Sequence, residues 1–327
     1  MAWGEIMSSN LLSVQVEEYI SYKRGLGFKI KIEAQELRRF AAYTVAIGHE
    51  GSLTTDVTFQ WSTLKPDYSR WYMARRMETV RTFAKYICVF DRMAQMPPKG
   101  MFGKCHGRTT PYIYTEDEIC ILMKVSTGLY SPDGLRCRTV PIAIGLLWST
   151  GMRPSETCQL LDGDIDLNNQ LITIRKTKFS KSRILPIHET VISELTAYVN
   201  DRDKLRKNFT DEHFLITTGS RGLGLRDLEY ALQIIRDNLL TDTKEWNRRP
   251  PRLYDIRHSF SCNTLLKWHK SGIKVNSKML YLSTYLGHVK VADTYWYLTG
   301  TPELMQLASR SFENFFYENG GPSPTSR

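Results

Sequence analysis

Between Met93 and Pro111 the chain carries Pro97, Pro98, Gly100, Gly103 and Gly107, a density of prolines and glycines that no helix or strand runs through. A chain of 327 residues interrupted in this way folds as two bodies, each long enough to bury a core of its own. The pattern places a helical domain at residues 1–95, a basic linker at 96–111, a second domain at 112–318 and a flexible tail at 319–327. A hydrophobic share of 42% and an aromatic share of 11% set both bodies among folded rather than disordered sequences.

In the first body, helical spacing predicts helices from Leu12 to about Gly25, from Glu33 to Ile47 and from Val57 to Leu64, the last closed by Pro66. From Tyr68 to Phe90 the spacing predicts a longer helix. Tyr72, Met73, Met77, Val80, Phe83, Ala84 and Ile87 line one side, and Arg70, Arg75, Arg76, Arg81 and Lys85 take other positions. Such a helix can lie along phosphates while its apolar side closes a bundle; the plain alternative is a solvated basic face. Residues 1–110 hold 16 basic and 10 acidic side chains and the rest hold 28 and 24, so both bodies add to a net charge of +10. An excess of that size favours a polyanionic partner.

The second body opens at Thr115-Glu116-Asp117-Glu118, a capping box with acidic residues in the first turn. Arg138 to Trp148 reads as a buried apolar helix running into Thr150-Gly151-Met152-Arg153. The period then changes: Leu171, Ile172 and Ile174, and later Ile184, Leu185 and Ile187, read as two strands flanking a basic hairpin, Arg175 to Arg183. Helices resume at 190–205, 225–240, 254–268, 277–286 and 302–316. The fold class is mainly α with a small antiparallel β-sheet. The six cysteines form no C-x-x-C pair and do not cluster with histidines, so no zinc or other metal site is expected. No signal pattern and no run of transmembrane length is present, and the chain reads as cytoplasmic, nucleoid-associated when bound to DNA.

The last quarter carries the chemistry. Tyr254-Asp255-Ile256-Arg257-His258 is followed by Leu286-Gly287-His288 and by Thr294-Tyr295-Trp296-Tyr297. With Arg153 from Gly-Met-Arg-Pro-Ser-Glu156, these supply two guanidiniums, a histidine and a phenol. A phosphodiester under attack gains charge on its non-bridging oxygens, which fixed cationic donors stabilise. Arginine suits that task because its planar fork donates paired hydrogen bonds and keeps its proton. A phenol, with a pKa of about 10 in water, is a better matched nucleophile than an aliphatic hydroxyl. A lysine on a basic hairpin can protonate the departing oxygen. Singly each residue has an ordinary explanation: Arg153 pairing with Glu156, Arg257 with Asp255, His288 capping a helix, Tyr297 in a core.

In order and spacing these segments resemble the tyrosine recombinases of the phage-integrase family. T-G-x-R-x-S-E is matched in full by Thr150 to Glu156. Lys178-Phe-Ser-Lys181-Ser-Arg183-Ile-Leu-Pro186 fits the family's lysine hairpin, which carries the catalytic lysine over to Lys178, with Lys181 and Lys176 as alternates. Arg257 and His258 match H-x-L-R-H. Nine residues after His288 the nucleophile falls on Tyr297, with Tyr295 as its decoy. Tyr254 stands where most relatives have histidine and is a poor proton acceptor near neutral pH, which leaves the acceptor for Tyr297 open. By resemblance Glu156 and His258 support the site. The resemblance implies strand cleavage and religation through a 3′-phosphotyrosyl intermediate without cofactors. It also implies a helical core-binding domain and a catalytic domain closing as a C-shaped clamp on duplex DNA. Synapsis would take a tetramer assembled through the C-terminal helix, with accessory DNA-bending proteins, in integration, excision or transposition of a mobile element. Leu304, Leu307, Phe312, Phe315 and Phe316 offer that helix an apolar face, which packing on its own domain would equally use. The competing readings are a type IB topoisomerase and a DNA-binding regulator that has lost turnover.

Overall fold

The computed structural model describes residues 11–104, 110–175, 182–206, 211–239, 250–299, 301–306 and 309. Lys176, Lys178 and Lys181, together with Leu307, Phe312, Phe315, Phe316 and the 319–327 tail, lie outside the described residues. The chain divides into two compact units, Met1–Thr109 and Thr110–Arg327.

The first unit is a four-helix arrangement of α1 (Leu11–Gly25), α2 (Lys31–Ala46), α3 (Thr55–Ser62) and α4 (Arg70–Ile87). Leu12, Val16 and Ile20 of α1 meet Leu37 and Phe40 of α2 and Val80, Phe83 and Ile87 of α4 in one core. Ser69 starts α4 by accepting a hydrogen bond from the backbone N–H of Tyr72.

The basic side expected of α4 needs correction. Arg76 is 3% exposed: its guanidinium lies 3.4 Å from the Trp61 ring centroid and donates to the Trp61 carbonyl (2.7 Å) and the Tyr68 hydroxyl (3.1 Å). The reason is helical geometry, since 76, 80, 83 and 87 fall on one stripe, and the aromatic rings make burial of the charge tolerable. Arg81 donates to the carbonyl of Pro97 and Arg75 leans on Trp71. Arg70 and Lys85 are exposed.

The second unit opens with α5 (Glu116–Ser126), whose capping box between Thr115 and Glu118 forms as its sequence predicts. At its centre lies α6 (Arg136–Thr150), where Val140, Ala143, Ile144, Leu146 and Leu147 are at most 1% exposed. Each such large side chain contributes about 1.5–3 kcal/mol by burial. After the short α7 (Pro154–Cys158) come β1 (Ile165–Asp166), β2 (Leu171–Ile174) and β3 (Arg183–Pro186), antiparallel in the order β1-β2-β3 with Ile172 opposite Leu185. Next are α8 (Glu189–Leu205), the hairpin β4 (Ile216–Thr217) and β5 (Arg221–Gly222), and α9 (Leu225–Leu239). The unit continues with α10 (Leu253–Lys270), α11 (Val275–Leu286), α12 (Ala292–Tyr295) and a 3-10 turn at Trp296–Thr299.

Helical residues 302–306 follow, and Leu304 is fully buried with Cys262, Leu265, Met279, Leu282 and Tyr297. Its apolar side chain is therefore spent within its own unit. Among the described residues no helix is long and apolar enough to cross a membrane.

Candidate active site

The site is assembled where helices end. Gly151 closes α6 in the left-handed conformation (φ 61°), and a Cβ there would stand 2.3 Å from the Phe260 ring, so both backbone and space demand glycine. The chain turns at once into α7, whose N-cap is Arg153. Gly287 closes α11 at φ 69°; its N–H bonds the Thr284 carbonyl and that of His288 bonds Ser283, the paired pattern of a Schellman ending. His288 is thus delivered by a helix cap, and Arg257 arrives from the start of α10.

Arg153 is held on two sides. Its Nη1 donates to Glu156 Oε1 (2.7 Å) and its Nη2 to the Gly287 carbonyl (3.3 Å), while its backbone N–H donates to Glu156 Oε2. Glu156 is 8% exposed and also receives Arg183 across both oxygens, at 3.1 and 2.7 Å. Burial pushes the Glu156 carboxyl up, but Arg183 and Arg153 outweigh it and hold the group at about 2. Arg257, 4% exposed, donates through Nη1 to the Gly151 carbonyl (2.8 Å) and through Nη2 to that of Leu286 (2.7 Å). It does not pair with Asp255, which takes Arg252 instead. Burial lowers the Arg257 pKa, against the attraction of Tyr297.

Arg257 Nη2 also lies 3.1 Å from His288 Nε2, and His288 Nδ1 lies 2.8 Å from the Thr294 hydroxyl. A guanidinium only donates, so the hydrogen-bond network assigns the lone pair to Nε2 and the proton to Nδ1. Burial, then Arg257 and Arg153, pull the imidazole down to about 4, which keeps it neutral near pH 7. The Tyr297 hydroxyl is 3.5 Å from the same Nε2, with the two rings nearly parallel at 20°. His258 packs its ring edgewise on Tyr297, and Cys262 donates its thiol to the Tyr297 carbonyl. Tyr297 is 5% exposed, whereas the decoy Tyr295 is 44% exposed.

Of the residues singled out from sequence, the structure brings together Arg153, Glu156, Arg257, His258, His288 and Tyr297. Tyr254 stands one turn before Arg257, 43% exposed, and its hydroxyl bonds no side chain among the described residues. The hairpin lysines fall between β2 and β3, outside the described residues. Two participants were not singled out as site residues from the sequence, Arg183 entering only as a letter of the hairpin motif. Arg183 shares the inward face of β3 with Leu185, and a cation on that face needs a buried anion; the two-residue alternation signalled it. Thr294 gave no such signal, because one threonine three residues before a tyrosine is unremarkable until the histidine is seen against it. Two guanidiniums, a neutral imidazole and a phenol around one point can bind an oxyanion and attack it.

Residues 113–303 match the model of the phage integrase family. A provisionally named integrase/recombinase, y4rB, of Sinorhizobium fredii is 34% identical over 307 residues, 91% of this chain and 96% of the relative. The tyrosine recombinase XerC of Lacticaseibacillus casei is 26% identical over 86% of this chain and 91% of its own. In fold, the chain is similar to the Tn1549 transposon integrase in complex with transposon right end DNA, at a TM-score of 0.65 and 15% identity over 92% of this chain and 98% of that one. It is also similar to the XerH site-specific recombinase bound to palindromic difH substrate, at a TM-score of 0.62 and 17% identity over 92% of this chain and 84% of that one. The chain belongs to the phage integrase family.

Proposed function

We propose that this member of the phage integrase family is a site-specific DNA recombinase that cuts and rejoins strands through Tyr297. In this reading Arg153 and Arg257 grip the non-bridging oxygens of the scissile phosphodiester and stabilise the charge that grows there. The Tyr297 oxygen attacks phosphorus, the bond to the 5′-oxygen breaks, and a 3′-phosphotyrosyl link forms. The 5′-oxygen leaves with a proton from the β2–β3 hairpin, assigned to Lys178, with Lys181 and Lys176 as alternates. Attack by a 5′-hydroxyl reverses these steps, and the covalent link conserves the bond energy, so no ATP is spent.

The observation that carries the proposal is the line from Arg257 Nη2 to His288 Nε2 to the Tyr297 hydroxyl, 3.1 and 3.5 Å, beside an Arg153 anchored on Gly287. Tyr254, by its place before Arg257 on the same helix, meets the phosphate through its hydroxyl. Duplex DNA is the substrate this reading requires, with exposed Arg70 and Lys85 and half-buried Arg75 of the first unit following its backbone. Similarity to an integrase/recombinase and a transposon integrase supports action on a mobile element. Assembly into a synaptic tetramer through the C-terminal segment, and accessory DNA-bending proteins, belong to the same proposal.

The test is covalent trapping. Full-length protein is mixed with labelled duplexes from the flanks of its own gene, nicked near the cleavage point so that the cut end escapes. A denaturing gel should show a protein–DNA adduct in the wild type and in Tyr295→Phe, and none in Tyr297→Phe. Binding of the duplexes with no adduct would refute the recombinase reading in favour of a regulator.

A further inference from the structure

The site contains a base already aimed at the nucleophile. His288 Nε2 lies within hydrogen-bonding range of the Tyr297 hydroxyl, at 3.5 Å. The Glu156 carboxylate is occupied by Arg183 and Arg153. Arg257, which can only donate, requires the lone pair on Nε2, and the other side of the ring must then find an acceptor for the Nδ1–H. Thr294, fully buried and fixed by its N–H to the Val291 carbonyl, holds its hydroxyl 2.8 Å from Nδ1.

We propose that Thr294 is a positioning residue whose hydroxyl accepts the Nδ1–H of His288 in the tautomer that Arg257 imposes, and that the Nε2 lone pair, released as Arg257 turns its N–H to the phosphate, takes the proton of the Tyr297 hydroxyl as that oxygen attacks phosphorus. The proposal rests on the recombinase reading of this site. The step balances: the O–H bond of Tyr297 breaks as N–H forms on His288 and O–P forms on Tyr297, and the 5′-oxygen departs with a proton from a different group. His288 returns its proton to the phenol on religation.

The charged and titratable groups facing His288 are Arg257 from α10, Arg153 from the start of α7, Arg183 from β3, and Asp293 and Tyr297 from its own segment; His258 faces Tyr297 in turn. Without a substrate the three arginines oppose an imidazolium. A phosphodiester seated between Arg153 and Arg257 brings a negative charge that offsets them, so the acceptor strengthens when the scissile group is in place.

Two measurements on the full chain decide the matter. Nitrogen-15 histidine NMR without DNA should find the His288 proton on Nδ1 in the wild type, with the slow exchange of that proton kept in Thr294→Ser and lost in Thr294→Val. Single-turnover cleavage of the trapped duplex should fall about 100-fold at neutral pH in His288→Gln, within the usual reach of general base catalysis, and about 10-fold in Thr294→Val, with recovery in Thr294→Ser. The His288→Gln deficit should shrink by up to about tenfold per pH unit as hydroxide replaces the base. It should persist on a duplex with a 5′-bridging phosphorothiolate, whose sulfur leaves without a proton. Rescue by the phosphorothiolate would overturn the proposal and give His288 to the leaving group. A wild type that cleaves with its proton on Nε2 would overturn the acceptor role alone. A wild type with the expected tautomer that never forms an adduct would overturn the recombinase reading, and the acceptor role with it. Thr294→Ser failing as Thr294→Val does would reduce Thr294 to packing.

Discussion

Replacing Glu156 by glutamine removes one charge and almost no volume from the centre of the site, which makes its cost calculable. The carboxylate is 8% exposed and receives three hydrogen bonds from the guanidiniums of Arg153 and Arg183. Those partners hold it at about 2 against an ordinary 4.5, which at roughly 1.4 kcal/mol per pH unit is worth about 3 kcal/mol at neutral pH. The figure agrees with the cost of about 3–5 kcal/mol for leaving a buried charge without its partner. Because the folded value is depressed, the contribution is complete above pH 4.5 and is lost as pH falls toward 2.

Urea unfolding of Glu156→Gln at pH 7 should therefore show a midpoint lower than wild type by about 1 M, and the gap should fall below half its size by about pH 3. His288, held near 4 from its ordinary 6.5, destabilises both proteins as pH drops through that window and cancels in the difference. Equal midpoints at pH 7, or a gap that does not narrow with acid, would refute the electrostatic account of this network.

Gly151→Ala should cost about 3 kcal/mol, combining left-handed backbone strain with a methyl forced against Phe260; thermal and urea unfolding check it, and adding Phe260→Leu should recover the packing part. Arg76→Lys should destabilise the first unit by about 2 kcal/mol through loss of its aromatic and carbonyl contacts, without changing the salt dependence of duplex binding. Lys85→Ala should do the reverse, leaving stability within about 0.5 kcal/mol and reducing the salt slope by about 1, read by fluorescence anisotropy across a salt series.

Most long helices were legible because their apolar periods run for three turns or more, and the capping box at Thr115 announced α5 to the residue. β2 and β3 were legible as short apolar runs, whereas β1, α7, α12 and the β4–β5 hairpin, of two to five residues each, carry no period to detect. Arg76 was misplaced on the basic side because charge was weighed above its position on the stripe through Val80, Phe83 and Ile87. In the site, linear spacing pointed to Arg153, Arg257, His288 and Tyr297 but not to what holds each of them. Arg257 is anchored by the carbonyls of Gly151 and Leu286, and Arg153 by that of Gly287. A backbone acceptor has no letter in the sequence, so only the fold could reveal that these arginines bind helix ends.

Those same anchors bear on how such a chain can lose its activity over generations. Arg257 sews the end of α6 to the end of α11, and Arg153 ties the start of α7 to the turn that delivers His288. A lineage relaxed from selection for strand exchange would still be selected to keep both arginines, since losing either loosens the fold. Their retention records descent and stability and is silent on turnover. The hydroxyl of Tyr297, whose removal leaves a phenylalanine of nearly the same shape in the same core, is the atom that drift can take at the least cost to the fold, and so it is the one to read when asking which descendants still cut.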